Sequence, residues 1–282
     1  MNEPDRTRQA RLRRRFDRAA ARYDECAGVQ REITHRLLER LDLVQLDPGC
    51  VVDLGAGTGD GTVQLHQRYP QARVLAVDFS QAMLRQGQKR EQASSSVVAD
   101  AFHLPFAPGT ADLVFSSSTL QWCVPLAEAL REISRVLRPG GLLMFSTYGP
   151  DTLQELHAAQ QAAGMEGGVN EFSDMHPIGD LLLEEGYQDP VLDVERLDVS
   201  YASVRDLMVE LKGIGSSRID SPAAQPCTRH QWQALTDAYP TDDQGRIHAT
   251  YEVIFGHALA PVSRAHGETA TVPIAAVGRR TR

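Results

Sequence analysis

Apolar residues along this chain repeat with two different periods, and the change between them falls near Cys50. Before it, Ile33, Leu37, Leu38 and Leu41 recur at helical spacing, which predicts a helix over 30–41 with one buried face. An earlier and more polar helix is expected over 11–21, with Leu12 and Phe16 as its apolar positions. Asp47-Pro48-Gly49 is turn chemistry and closes the section.

From Cys50 onward, short apolar runs alternate with amphipathic stretches. Strands are expected at 51–54, 73–77, around 97–98, 113–115 and 142–147. Helices are expected at 61–68, from about Ser80, and at 126–137, with Arg138-Pro139-Gly140-Gly141 as a turn before the fifth strand. Such alternation builds βαβ units and a parallel sheet. Right-handed crossovers make the sheet doubly wound, with ligands at the carboxyl ends of its strands.

Beyond Tyr148, helices are expected at 151–163, 177–185, 204–212 and 229–239, and strands at 190–199 and 251–257. The fold class expected is therefore α/β, a doubly wound, Rossmann-like, seven-stranded and mainly parallel sheet. An N-terminal helical segment (1–46) precedes a ligand-binding core (47–150). Residues 151–260 complete the sheet and supply a helical cap over 201–239, and 261–282 form a flexible tail.

Composition narrows the function classes. Hydrophobic residues make up 42% and charged residues 23% of the 282 residues, the mix of a globular chain and not of a disordered one. No apolar run approaches the ~18 residues needed to span a bilayer. The N-terminus is Arg-rich without the apolar stretch of a secretory signal, so a cytoplasmic location is expected and no membrane insertion. Cys26, Cys50, Cys123 and Cys227 are isolated, which points to neither disulfides nor a metal site. A formal net charge of −8 argues against nucleic acid as the partner.

The chemistry concentrates in Val51-Val52-Asp53-Leu54-Gly55-Ala56-Gly57-Thr58-Gly59. A strand turning sharply into a helix needs glycines where the backbone must approach a ligand. The pattern is not the pyrophosphate fingerprint, because Asp60 stands where a third glycine belongs, and no Gly-Lys-Ser/Thr marks a P-loop. A cationic nucleoside without phosphates suits this turn, beside the Asp53 carboxylate. Asp78, at the end of the second strand, is placed to take ribose hydroxyls. Asp100 follows the third strand, where a carboxylate can read an adenine amino edge, and Ser116 to Ser118 close the fourth at the switch point. Together these describe a site for S-adenosylmethionine.

The stretch 47–150 resembles the class I S-adenosylmethionine-dependent methyltransferases, including Leu137-Arg138-Pro139-Gly140-Gly141. The resemblance implies that Asp53, Gly55, Ala56, Gly57 and Gly59 line the methionine and sulfonium end. It implies that Asp78 holds the ribose, Phe79 and Met83 flank the adenine, Asp100 and Ala101 meet its edge, and Ser116 meets the methionine portion. Trp122 and Cys123 are open between packing and a substrate wall.

The flanks resemble a narrower family. Arg15-Phe16-Asp17-Arg18-Ala19-Ala20-Ala21-Arg22-Tyr23-Asp24, Ser118-Thr119-Leu120-Gln121-Trp122-Cys123, Phe145 to Leu153, Asp174-Met175-His176 and Thr250 to His257 are similar to the malonyl-acyl-carrier-protein O-methyltransferases of biotin synthesis. That resemblance implies methyl transfer to the free carboxylate of a malonyl thioester, on carrier protein or coenzyme A, with S-adenosylhomocysteine as product and no metal. Two other readings share the outline: a methyltransferase of a small molecule such as a quinone, and a protein like the assembly factors of respiratory complex I.

A carboxylate is already ionised at pH 7, so no general base is expected, and positioning with exclusion of water carries the reaction. Tyr23 is a candidate to position the acceptor. Arg14, Arg18, Arg196, Arg205 and Lys212 are candidates to bind its carboxylate, which arginine does bidentately. Residues 1–22 hold eight arginines against three acids, a local charge of +5 that could steer an acidic carrier protein.

Overall fold

The computed structural model describes residues 3–90, 95–165, 170–216 and 227–262. The expected tail lies outside these residues apart from Pro261 and Val262, and so does the middle of the expected cap.

Three helices open the chain: α1 (Glu3–Ala19), α2 (Tyr23–Cys26) and α3 (Gly28–Arg40). Helix α1 begins earlier than the apolar pattern suggests, because its first turns are polar and carry no periodic signal. One sheet follows, built from β1 (Cys50–Leu54), β2 (Arg73–Asp78), β3 (Ser95–Val98), β4 (Ala111–Ser116), β5 (Leu137–Tyr148), β6 (Gln188–Tyr201) and β7 (Ile247–Leu259). The order is β3-β2-β1-β4-β5-β7-β6. Neighbours among β1 to β5 pair in parallel, while β7 runs antiparallel between β5 and β6. The parallel half is crossed over by α4 (Asp60–Arg68), α5 (Gln81–Arg90) and α6 (Leu126–Val136); α7 (Gln154–Ala162), α8 (Met175–Glu184), α9 (Val204–Gly213) and α10 (Arg229–Ala238) follow.

Side chains alternate across the sheet as the pleat requires. Val51, Leu113, Phe115, Leu142 and Met144 face a core shared with Ile33 and Leu37 of α3. Val52, Leu54, Val114, Leu143 and Phe145 face the opposite core, packed on Leu130 and Ile133 of α6. Both faces are covered, which is why the central strands read as unbroken apolar runs.

The expected turn at 138–141 is corrected. Leu137 already pairs with Ala111 of β4, and the register shifts before Leu142 pairs with Leu113. Gly140 N–H donates to Ala260 O at 3.0 Å and Ala260 N–H to Gly141 O at 2.8 Å, so the chain end holds this segment as a bulged start of β5.

Strands β1 and β4 are neighbours, yet the chain leaves β1 toward β2 and β4 toward β5. Their carboxyl ends, Leu54 and Ser116, flank the switch point where a crevice opens.

Candidate active site

At that switch point the backbone turns through Gly55, Gly57 and Gly59, with φ of 77°, 55° and 84°. Side-chain-bearing residues rarely adopt this region. At Gly55 a Cβ would also stand 2.0 Å from Thr119 Oγ1. The Gly55 and Ala56 N–H groups donate to Val77 O at 2.7 and 3.0 Å, which fixes the turn against β2. Alternation places Asp53 on the α4 side, where it is buried and accepts from Thr62 Oγ1 at 2.6 Å. Burial pushes its pKa up to about 7.

Asp78 ends β2 beside this turn. Its Oδ1 accepts from Ser80 N–H at 2.7 Å and its Oδ2 from Gly57 N–H at 2.9 Å. Burial pushes it up to about 6 against the pull of those donors. Each oxygen keeps a free lone pair, and Asp78 lines a narrow recess together with Phe79, Met83, Asp100, Ala101 and Trp122. Asp100 is itself steadied by Phe102 N–H, 3.1 Å from Oδ1. A recess with apolar walls, a paired carboxylate and a second carboxylate fits a nucleoside.

Helix α1 covers this recess. Phe16 stands edge-on between Phe79 and Trp122, with ring centroids 5.7 and 5.8 Å away. Asp17 accepts from Ser80 Oγ at 2.7 Å, and Asp24 of α2 accepts from Thr58 Oγ1 at 2.5 Å.

A second recess follows the glycine turn under Asp24, Arg31 and Thr34. A third, much larger cavity of about 540 Å³ opens on the other side. Its walls are mainly apolar and come from β5, α7, α9 and α10, with Tyr148, Leu156, Met208, Ile214 and Trp232 among them. Tyr23 and Ser118 line all three spaces. Ser118 has a φ of 51°, unusual for a residue with a side chain, and Ser146 Oγ accepts from its N–H at 3.0 Å. Tyr23 is half-buried, and desolvation together with Tyr148, Asp78 and Asp24 nearby holds its ionisation well above the ordinary tyrosine range.

Most residues singled out in the sequence converge here. Gly55, Gly57, Asp78, Phe79, Met83, Asp100 and Ala101 share one recess, while Asp53 and Ala56 line the next. Gly59 sits behind the turn, facing Gly87 of α5. Ser116 is a correction: it is fully buried and donates its hydroxyl to Leu54 O at 3.0 Å, tying β4 to β1, and it is Ser117 and Ser118 that face the recesses. Of the five cations, Arg205 and Lys212 line the large cavity from the exposed side of α9. Arg14 and Arg18 point to solvent from α1, and Arg196 lies on β6, paired with Asp151. They do not line these spaces, because their positions fall on outward faces that composition alone does not mark. Gln30, Arg31 and Tyr148 fall in segments that carry the family resemblance but were given no site role; they enter the site from α3 and the end of β5, far from the glycine motif in sequence.

Comparison with known proteins agrees with this geometry. A family profile described as a methyltransferase domain matches residues 52–145. Among solved structures, YcgJ of Bacillus subtilis shares the fold at a TM-score of 0.57 and 14% identity, over 80% of this chain and 98% of that one. Haemonchus contortus phosphoethanolamine N-methyltransferase 2, in complex with S-adenosyl-L-methionine, gives 0.54 at 19% identity, over 87% of this chain and 57% of that one. Similarity in sequence goes further. The malonyl-acyl-carrier-protein O-methyltransferase of Methylovorus sp. is 44% identical over 91% of this chain and 90% of its own length. Malonyl-acyl-carrier-protein O-methyltransferase 1 of Coxiella burnetii is 42% identical over 96% of each. With identity at that level along nearly the whole chain, and the glycine turn, the paired carboxylates and the acceptor cavity in one crevice, the chain belongs to the malonyl-acyl-carrier-protein O-methyltransferase family.

Proposed function

We propose that this protein transfers a methyl group from S-adenosylmethionine to the free carboxylate of a malonyl thioester carried by an acyl-carrier protein. The observation that carries the reading is the meeting of a nucleoside recess, a glycine-turn recess and a large acceptor cavity at Tyr23 and Ser118. The donor supplies an electrophilic methyl on a sulfonium. Asp78 accepts the ribose hydroxyls, Phe79 and Met83 flank the base, and Asp100 and Ala101 meet its edge. The glycine turn and Asp53 hold the amino-acid end, with Arg31 at the rim of that recess as the cation for its carboxylate.

The acceptor arrives ionised, so the chain has no proton to remove. Its work is to align the carboxylate with the methyl and to exclude water, and the apolar walls of the cavity suit that task. The cavity exceeds what a malonyl group alone fills, which leaves space for the thioester and the arm that bears it. The exposed arginines of α1, among them Arg11, Arg14 and Arg18, suit an acidic carrier at the mouth. The product, a methyl ester with its charge masked, is the form that chain elongation toward the pimeloyl moiety of biotin accepts.

Purified protein is expected to move label from the methyl-labelled donor to malonyl-carrier protein, and to restore growth of a biotin auxotroph lacking its own methyltransferase. Binding of S-adenosylhomocysteine without transfer to malonyl-carrier protein or malonyl-CoA would refute the substrate while leaving the donor site intact.

A further inference from the structure

Among the described residues, no charged side chain lines both the large cavity and a donor recess. The residues that line the cavity and at least one recess are Phe16, Tyr23, Gln30, Ser118 and Trp122. Arg205 and Lys212, seven positions apart on one side of α9, line the cavity and neither recess. Arg31 lines the glycine-turn recess and not the cavity. Behind the junction, Gln30 Nε2 donates to the Tyr148 hydroxyl at 3.0 Å, and Gln30 Oε1 is buried with no hydrogen-bond partner. The hydroxyl of half-buried Tyr23 makes no hydrogen bond to the described residues.

We infer that the acceptor carboxylate is held by neutral donors, the Tyr23 hydroxyl, the Gln30 amide and the Ser118 hydroxyl, and not by a guanidinium or ammonium group. This assignment rests on the proposed malonyl transfer. During transfer a carboxylate lone pair forms the O–CH₃ bond, the S–CH₃ bond breaks, and its electron pair returns to sulfur. No proton moves. The negative charge on the acceptor disappears as the bond forms. A cation locked to that carboxylate would grip the reactant more tightly than the transition state, and so would raise the barrier. Neutral donors lose less as the charge fades, and they still fix direction.

The unpartnered Oε1 supports this assignment. An amide can present either end to the same neighbour. With the Gln30 amide turned over, Oε1 accepts the Tyr148 hydroxyl and Nε2 becomes a buried donor without a partner among the described residues. A buried orphan acceptor is costly, typically ~1–3 kcal/mol, and carboxylate binding in this orientation removes that cost.

The test compares Tyr23→Phe, Gln30→Leu and Gln30→Glu with the unaltered protein, using malonyl-carrier protein as acceptor. Affinity for S-adenosylhomocysteine, measured by calorimetry, reports an intact fold and donor site and is expected to stay within about threefold. Loss of one donor is expected to lower kcat/KM about tenfold. Gln30→Glu sets a second carboxylate against the first and is expected to lose about 100-fold at pH 8, with part of the loss recovered as the pH falls toward 5. Full activity in Gln30→Glu, with transfer abolished instead by removing the charges of Arg205 and Lys212 together, would overturn the assignment. Unaltered protein that binds S-adenosylhomocysteine and leaves malonyl unmethylated would overturn it together with the substrate; active protein with three active variants overturns it alone.

Discussion

Asp78 is the residue proposed to hold the donor's ribose, and its environment is expected to make donor binding depend on pH. Burial raises Asp78 to about 6 and Asp53 to about 7 from an ordinary value of 3.8. A carboxyl raised in the folded state favours folding while protonated. Its contribution is complete below the unfolded value and is lost as the pH rises through the folded one. The ligand-free protein is therefore expected to lose thermal stability between about pH 4 and pH 7, and Asp78→Asn to flatten the part of that decline below about pH 6, as read by calorimetric unfolding. The ligand acts in the other direction. In the proposed placement the ribose hydroxyls donate to ionised Asp78, so affinity for S-adenosylhomocysteine is expected to rise as the pH passes about 6; affinity independent of pH from 5 to 8 would separate Asp78 from the ribose. Gly55 is the other decisive residue. Its positive φ and the 2.0 Å approach of a Cβ to Thr119 leave no room for a side chain, so Gly55→Ala is expected to weaken S-adenosylhomocysteine binding about 100-fold in titration.

At the scale of elements, α1 is both cover and handle. Its inner face sets Leu12 and Phe16 toward the recess, and its outer face carries Arg11, Arg14 and Arg18. Removing the ring that bridges Phe79 and Trp122 loosens the cover: Phe16→Ala is expected to speed release of S-adenosylhomocysteine about tenfold in stopped-flow displacement. Helices α2 and α9 meet closely enough that Gly213 has no space for a methyl, since its Cβ would stand 2.3 Å from Cys26 Sγ. Gly213→Ala is expected to cost ~1–3 kcal/mol and to lower the unfolding midpoint by about 5 °C, with partial rescue by Cys26→Ala. On the opposite side of the sheet end, Arg40 of α3 lies over the Phe255 ring at 3.7 Å and pairs with Asp193 and Glu195 at 2.6 Å each, which anchors the N-terminal helices to β6 and β7.

For the whole molecule, the net charge of −8 and the basic outer face of α1 act on different things. The first is a sum over the whole chain; the second is local and works within about one Debye length. Reversing Arg11, Arg14 and Arg18 to Glu is expected to raise KM for malonyl-carrier protein about tenfold at low salt, with a smaller effect at high salt, and to leave the unfolding midpoint near its original value. An unchanged KM would remove α1 from carrier docking. The parallel half of the fold was legible in the chain because each signal there is local: a run of Val and Leu, then glycines, then an amphipathic helix. The glycine turn was legible for the same reason, since positive φ is a demand on single residues. Among the Ser116 to Ser118 run, the residue facing the ligand was not legible, because Ser116 is consumed by a hydrogen bond to Leu54, a partner on another strand. Nor was the start of β5, which depends on Ala260 arriving from the far end of the chain. The sequence alone thus determined the strand–helix alternation of the nucleoside half and the kind of donor it suits, through backbone geometry and hydrophobic period. Only the tertiary structure decided that Tyr23, Gln30 and Ser118 meet with no cation among them, because that depends on which faces of distant elements pack together.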